Sequence, residues 1–414
     1  MGKTRLMSSG YPSDVLISTV FQVAKVNVRN DDDLADRLHH RYTVIFMIIF
    51  TVVVSTTQYV GNPIHCWCPA YFTGNHEAFA NKICWVTNTY YLPETGLPGM
   101  PGALKRHIGY YQWVPVMLLI QAFLFYIPCL LWRIFGDRSG INVNNLVEAA
   151  ETIQNALYPE RRDKTIKYMI RHMDHYLDYQ REYRGGCCVF IKNLLTKYLC
   201  MLCGNRRGNY LVMLYLATKV LYFANVLAQL FLLNGFLGTE YHVYGIGVIV
   251  DLVTGNDWSA ARCFPRITLC DFQIRQMGTI HPHTVQCVLP INLFNEKIYI
   301  FLWFWMVFVA TTTCLSLLRW IWVLCFRSIR VRYIRKHLLI MNKLNRDDDR
   351  DAKLSKKFTE LYLRQDGIFV LKLVAKNSTE LVVADIVSAL WDNYVNKPMN
   401  IRTDLDMDDS ASIA

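Results

Sequence analysis

Residues 110–132 read YYQWVPVMLLIQAFLFYIPCLLW, and this stretch decides the fold class. Residues 114–132 hold no charged side chain, and at about 1.5 Å of rise per residue such a helix nearly crosses a hydrocarbon layer of about 30 Å. Tyr110, Tyr111 and Trp113 stand just ahead of it, where aromatic rings with a polar edge gather at lipid headgroups. Pro115 falls in the first turn, which tolerates a missing N–H. The stretch predicts a membrane-spanning helix that starts at an interface.

Three more long apolar runs lie outward from it, at residues 43–61, 211–237 and 298–318. The 414-residue chain is 53% apolar, 13% aromatic and 19% charged, too apolar for an ordinary soluble domain and too interrupted for a large transporter. Residues 1–42 are charged and lack the short apolar run and small-residue cleavage site of a leader, so the first run reads as an anchor. Four spans put both termini on one side. Lys and Arg decide which: 6 fall in residues 1–42, 13 in 133–210 and 17 from 319 onward, against 3 in 62–109 and 4 in 238–297. The positive-inside bias predicts cytoplasmic termini and a cytoplasmic loop at 133–210, with outer loops at 62–113 and 238–297. The net charge of +11 then reflects topology and attraction to anionic lipid heads, with no call for a nucleic-acid partner.

Residues 13–29 predict an amphipathic helix, with Ser18, Gln22, Lys25 and Arg29 on one face. Either it lies on the cytoplasmic membrane surface or it lines a pore mouth. In the first span Thr51, Ser55 and Gln58 recur at helical spacing and predict a polar stripe toward water; the alternative is that Thr and Ser satisfy carbonyls of their own helix. Pro63 and Pro69 predict turning, extended chain, and residues 92–102 a loop. The loop 133–210 has helical patterning, and its lone CxxC, Cys200 and Cys203, reads as reduced thiols, as do Cys187 and Cys188. Lys219, inside the third span, is expected to extend its stem toward the interface. Residues 319–341 are basic and juxtamembrane; Asp347, Asp348, Asp349 and Asp351 read as a solvated loop. A cytoplasmic helical region at 319–402 includes a helix capped by Asn377 and Glu380 and running to about Val395, followed by a disordered tail at 403–414.

Several ordered motifs resemble those of innexins, the invertebrate gap-junction proteins. They are Asp36-Arg37-Leu38 leading to Tyr42-Thr43, the outer string from Tyr59 through Cys66-Trp67-Cys68-Pro69 with Cys84-Trp85 beyond it, and Tyr110-Tyr111-Gln112-Trp113-Val114-Pro115. The second outer loop adds the strings that run from Phe264 to Phe272 and from Val285 to Ile298. The resemblance implies an all-α membrane protein with four transmembrane helices per subunit and small disulfide-linked outer loops containing some β structure. It also implies helical cytoplasmic parts, an N-terminal helix folded into the pore mouth, and assembly as a ring of like or mixed subunits. Such a ring docks with another in the neighbouring cell, at plasma-membrane junctions, and passes ions and small metabolites.

The outer cysteines are informative without the family. Cys66, Cys68 and Cys84 lie in the first outer loop, and Cys263, Cys270 and Cys287 in the second. Three cannot pair among themselves, so in an oxidising exterior at least one disulfide joins the loops. Among fifteen connectivities the expectation is antiparallel: Cys66 to Cys287, Cys84 to Cys270 and Cys68 to Cys263. Zinc is the competing reading of these thiols. No phosphate-binding glycine loop, HExxH motif or triad context occurs, and the reading has no enzyme, cofactor or metal. Two other classes stand beside the junctional channel: an undocked, pannexin-like hemichannel and a four-span adhesion or scaffold protein. Neither outer loop carries an Asn-x-Ser/Thr glycosylation triplet, which leaves docking open.

Overall fold

The computed structural model describes residues 31–91, 106–154, 158–179, 208–238, 240–255, 264–346 and 348–396. The N-terminal residues Ser18, Gln22, Lys25 and Arg29, the loop at 92–102, the tail at 403–414, and Cys187, Cys188, Cys200, Cys203 and Cys263 lie outside them. The chain forms two compact units.

The first unit, residues 34–135 and 213–325, contains the apolar helices. Four are long and apolar enough to cross a membrane: α1 (Leu34–Tyr59), α3 (Val114–Asp137), α6 (Tyr210–Leu237) and α8 (Pro290–Cys325). Between α1 and α3 come β1 (His65–Trp67), α2 (Gly74–Thr87), β2 (Thr89–Tyr91) and β3 (Arg106–Ile108). Between α6 and α8 come α7 (Tyr241–Thr254), β4 (Ile267–Gln276) and β5 (Thr279–Val288). Helix α1 starts well before the charge-free run, because Asp36 and His39 find buried partners. Over Leu38–Thr43 it widens to a π-helix, and the Thr43 hydroxyl donates to the Leu38 carbonyl at 2.7 Å. Helix α3 carries Pro128, which is buried among its neighbours, and α8 opens on Pro290 in the first turn.

The strands form one antiparallel sheet in the order β1-β5-β4-β2-β3. β4 and β5 are a hairpin turned by Met277-Gly278, both with positive φ, as a two-residue turn matching strand twist requires. Pro282 sits where only one edge of β5 is paired, so no ladder bond is lost on the other.

In the second unit, which takes in residues 136–212 and 326–414, the described elements are helical. They are α4 (Val143–Gln154), α5 (Pro159–Tyr179), α9 (Arg327–Ile340), α10 (Asp349–Lys357), α11 (Arg364–Asn377) and α12 (Glu380–Asn396), with a π-turn at Phe358–Leu363. Phe358, Tyr362, Trp391 and Tyr394 stack into its core. Asp366 is fully buried and accepts from the Val212 amide at 3.1 Å and the Tyr176 hydroxyl at 3.3 Å. Two sequence expectations are corrected here. The acidic run is a helix start, with the Asp348 carboxylate capping the Arg350 amide at 2.8 Å, because carboxylates suit the positive end of a helix. Asn377 ends α11 instead of capping α12, its amide donating to the Leu373 carbonyl at 3.1 Å.

Candidate functional site

Two disulfides join the loop after α1 to the loop before α8. Cys66 of β1 lies directly across from Cys287 of β5 and bonds to it; Cys84, in the last turn of α2, bonds to Cys270 of β4. Helix α2 was not anticipated. It starts at Thr73, which shares a capping box with His76, and it turns Cys84 and Ala80 inward. Asn81 on the same helix accepts the Cys66 amide at 2.8 Å, so α2 is tied to β1 by a hydrogen bond as well as to β4 by sulfur. Across the sheet, the Tyr90 hydroxyl at 2.9 Å and the Thr284 hydroxyl at 2.8 Å both donate to the Asp271 carboxylate. Arg266 pairs with buried Glu296 at 2.7 Å, fixing the start of the hairpin to the first turns of α8.

Cys263, the expected third-bridge partner of Cys68, lies outside the described residues. Cys68 keeps a free, half-buried thiol, and burial, then the Glu77 carboxylate, push its pKa up. A thiol so placed ionises poorly and is a weak nucleophile. The sulfurs of Cys66, Cys84 and Cys287 are close enough to share an ion, but each is bonded to another sulfur and offers no thiolate.

Residues 110–115 form a structural junction. Tyr111 is buried against Trp85 of α2, with ring centroids 4.9 Å apart. Gln112 donates to the Trp85 carbonyl and to Asn88 Oδ1, while Tyr110 packs edge-on to Phe236 and Phe264. Trp113 is exposed at the head of α3, and Pro115 is buried in its first turn. Gln58 joins the same junction, its amide donating to the Tyr111 carbonyl at 2.7 Å. This corrects the water-facing stripe: Gln58 and Thr51 are buried within the subunit, Thr51 donates to the Met47 carbonyl at 2.8 Å, and Ser55 is half-buried. The exposed face of α1 instead carries Ile48, Ile49, Val52 and Val53. A polar residue in a spanning helix is held by whatever bond is offered, and here the partners are inside the fold.

Lys219 also departs from expectation. Its ammonium is fully buried, 2.8 Å from the Asp36 carboxylate and 3.0 Å from the Ser316 hydroxyl, instead of reaching for an interface. The Tyr215 hydroxyl donates to the other Asp36 oxygen at 2.9 Å. One turn along α1, His39 lies 2.7 Å from the Thr313 hydroxyl, which itself donates to the Val309 carbonyl at 2.7 Å, so His39 Nε2–H is the donor. Trp305 donates to Thr43 at 2.8 Å. α1, α6 and α8 are therefore joined by a buried polar network, with every charge opposed by another.

The Innexin family pattern matches residues 32–394. The Caenorhabditis elegans protein innexin unc-9 is 38% identical over 374 residues, spanning 90% of this chain and 94% of its own length. Innexin-11 of the same species is 37% identical over 390 residues, spanning 92% of this chain and 83% of its own. Four apolar helices, a small sheet stapled across two loops and this match agree: the chain belongs to the innexin family, whose members are gap-junction channel proteins.

Proposed function

We propose that the chain is the structural subunit of a ring-shaped channel or hemichannel that passes ions and small metabolites between adjacent cells by diffusion. The observation that carries this is the covalent joining of two loops, through cysteine pairs 221 and 186 residues apart, into one sheet that presents exposed Trp67, Met277 and Ile280. A rigid platform of this kind suits contact with a second ring, because little ordering entropy is lost on docking. Four helices enclose no wide aqueous path, so conduction requires several copies around an axis. The Lys and Arg distribution supports cytoplasmic termini and a platform that faces the neighbouring cell. An N-terminal helix folded into the cytoplasmic mouth, one copy per subunit, would bring Lys25 and Arg29 into a basic ring that favours anions there, whereas a helix on the membrane surface would leave selectivity alone.

Purified protein in liposomes should pass current and small dyes, and paired cells expressing it should show junctional conductance. Liposome conduction without junctional conductance would favour an undocked hemichannel. Absence of both would favour a four-span scaffold. Replacing Lys25 and Arg29 together by Glu should shift the reversal potential toward cation preference, most at low salt.

A further inference from the structure

Helix α7 was read from sequence as part of an outer loop, yet it is apolar on both faces. Tyr241, Tyr244 and Gly245 form the packed face. A methyl on Gly245 would meet the Trp303 ring at 2.0 Å, so the absent side chain lets α7 lie directly on α8. The opposite face carries Val243, Ile246, Ile249, Val250 and Val253 at helical spacing, each between 40% and 80% exposed. An outer-loop helix in water would put polar side chains there; one apolar all round belongs in a protein core or in lipid.

Depth markers distinguish these. The Tyr241 hydroxyl donates to the Tyr299 carbonyl at 2.6 Å, and the Trp303 indole donates to the His242 carbonyl at 3.1 Å. Tyr299 and Trp303 lie within the charge-free run 298–318 of α8. The start of α7 is also held beside α6, with the His242 amide donating to Asn234 Oδ1 at 2.9 Å and the His242 ring stacked on Phe231. Phe231 of α6 and Phe304 of α8, in ring contact with His242 and Trp303 respectively, are themselves exposed apolar side chains of spanning helices. The helix holds no Lys, Arg or Glu, and Asp251, its one carboxylate, is half-buried on the face it shares with Tyr244.

We propose that α7 is a membrane-embedded element whose stripe of Val243, Ile246, Ile249, Val250 and Val253 contacts lipid acyl chains. It does not cross the membrane, because a 14-residue helix is too short. Through Tyr244, whose ring meets Phe264 just ahead of β4, it ties the start of the disulfide-bearing hairpin to the bilayer.

The test is photo-crosslinking of the full chain in phosphatidylcholine liposomes. Benzoylphenylalanine is placed singly at Ile249 or Val253, with Trp67 as the control, and retention of Cys66–Cys287 in non-reduced peptide maps confirms folding. Both α7 positions should gain the mass of a phospholipid on irradiation, and the Trp67 position should not. A subunit–subunit adduct as the main product would show that another copy covers the stripe, and lack of any adduct at both positions would show water there; either overturns the proposal. The unsubstituted chain supplies an independent reading: a diazirine dissolved in the lipid should label the 241–254 peptide, and failure to label it while labelling α8 would also overturn it.

Discussion

The membrane unit is held together in two contrasting ways. In the sheet, loops distant in sequence are joined by Cys66–Cys287 and Cys84–Cys270; near the start of α1, helices distant in sequence are joined by Asp36, Lys219, Tyr215 and Ser316. The first fastening depends on an oxidising medium and is indifferent to polarity. The second depends on exclusion of water and is indifferent to redox state. A chain exposed to water on one side can staple itself with sulfur, whereas inside the helix bundle the strongest available tie is a paired charge whose partners are all supplied.

The largest effect is expected from splitting the ion pair. Lys219→Met alone strands the Asp36 carboxylate and should cost about 3–5 kcal/mol, seen as a steep loss of thermal stability in detergent. Adding Asp36→Leu to it should recover most of that loss, because two apolar side chains replace the pair. Reductant should leave both variants' melting behaviour shifted no more than the parent's.

Next comes the covalent tie. Cys84→Ser should remove about 2–4 kcal/mol of platform stability and abolish junctional conductance between paired cells, whereas Cys200→Ser should do far less. Smaller still is Gln58→Leu, which leaves the buried Tyr111 carbonyl unpaired and should cost about 1–3 kcal/mol in thermal unfolding. Thr51→Val should cost less than Gln58→Leu, because the threonine bonds only within its own helix. The smallest effect is expected at Cys68→Ser, within about 0.5 kcal/mol of the parent. The native Cys68 thiol should label with maleimide more slowly at neutral pH than an ordinary exposed cysteine, since its pKa is raised.

What was legible in the sequence follows from the range of the signal. Charge-free runs announce themselves locally, so the four long helices could be read, and an odd cysteine count in each outer loop required a bridge between them. The Asp36–Lys219 pair joins residues far apart in the chain, and neither residue carries a local sign of the other. Reading the first span from residue 43 also left Asp36 and His39 outside the helix that holds them. Thr51 and Gln58 showed correct helical spacing, but periodicity gives a face and not the direction in which it points. Helix α2 lies between prolines and short strands, and the fourteen-residue α7 is too short to announce a membrane crossing.

The central claim is that the disulfide-joined sheet is the docking face of a ring of these subunits. Electron microscopy of the purified full-length protein, imaged with and without reductant, tests it most directly. The account predicts rings with a central opening that meet in pairs through the ends bearing Cys66–Cys287 and Cys84–Cys270, and pairs that separate into single rings on reduction. Particles without a ring, or paired rings that meet through the opposite end, would contradict it.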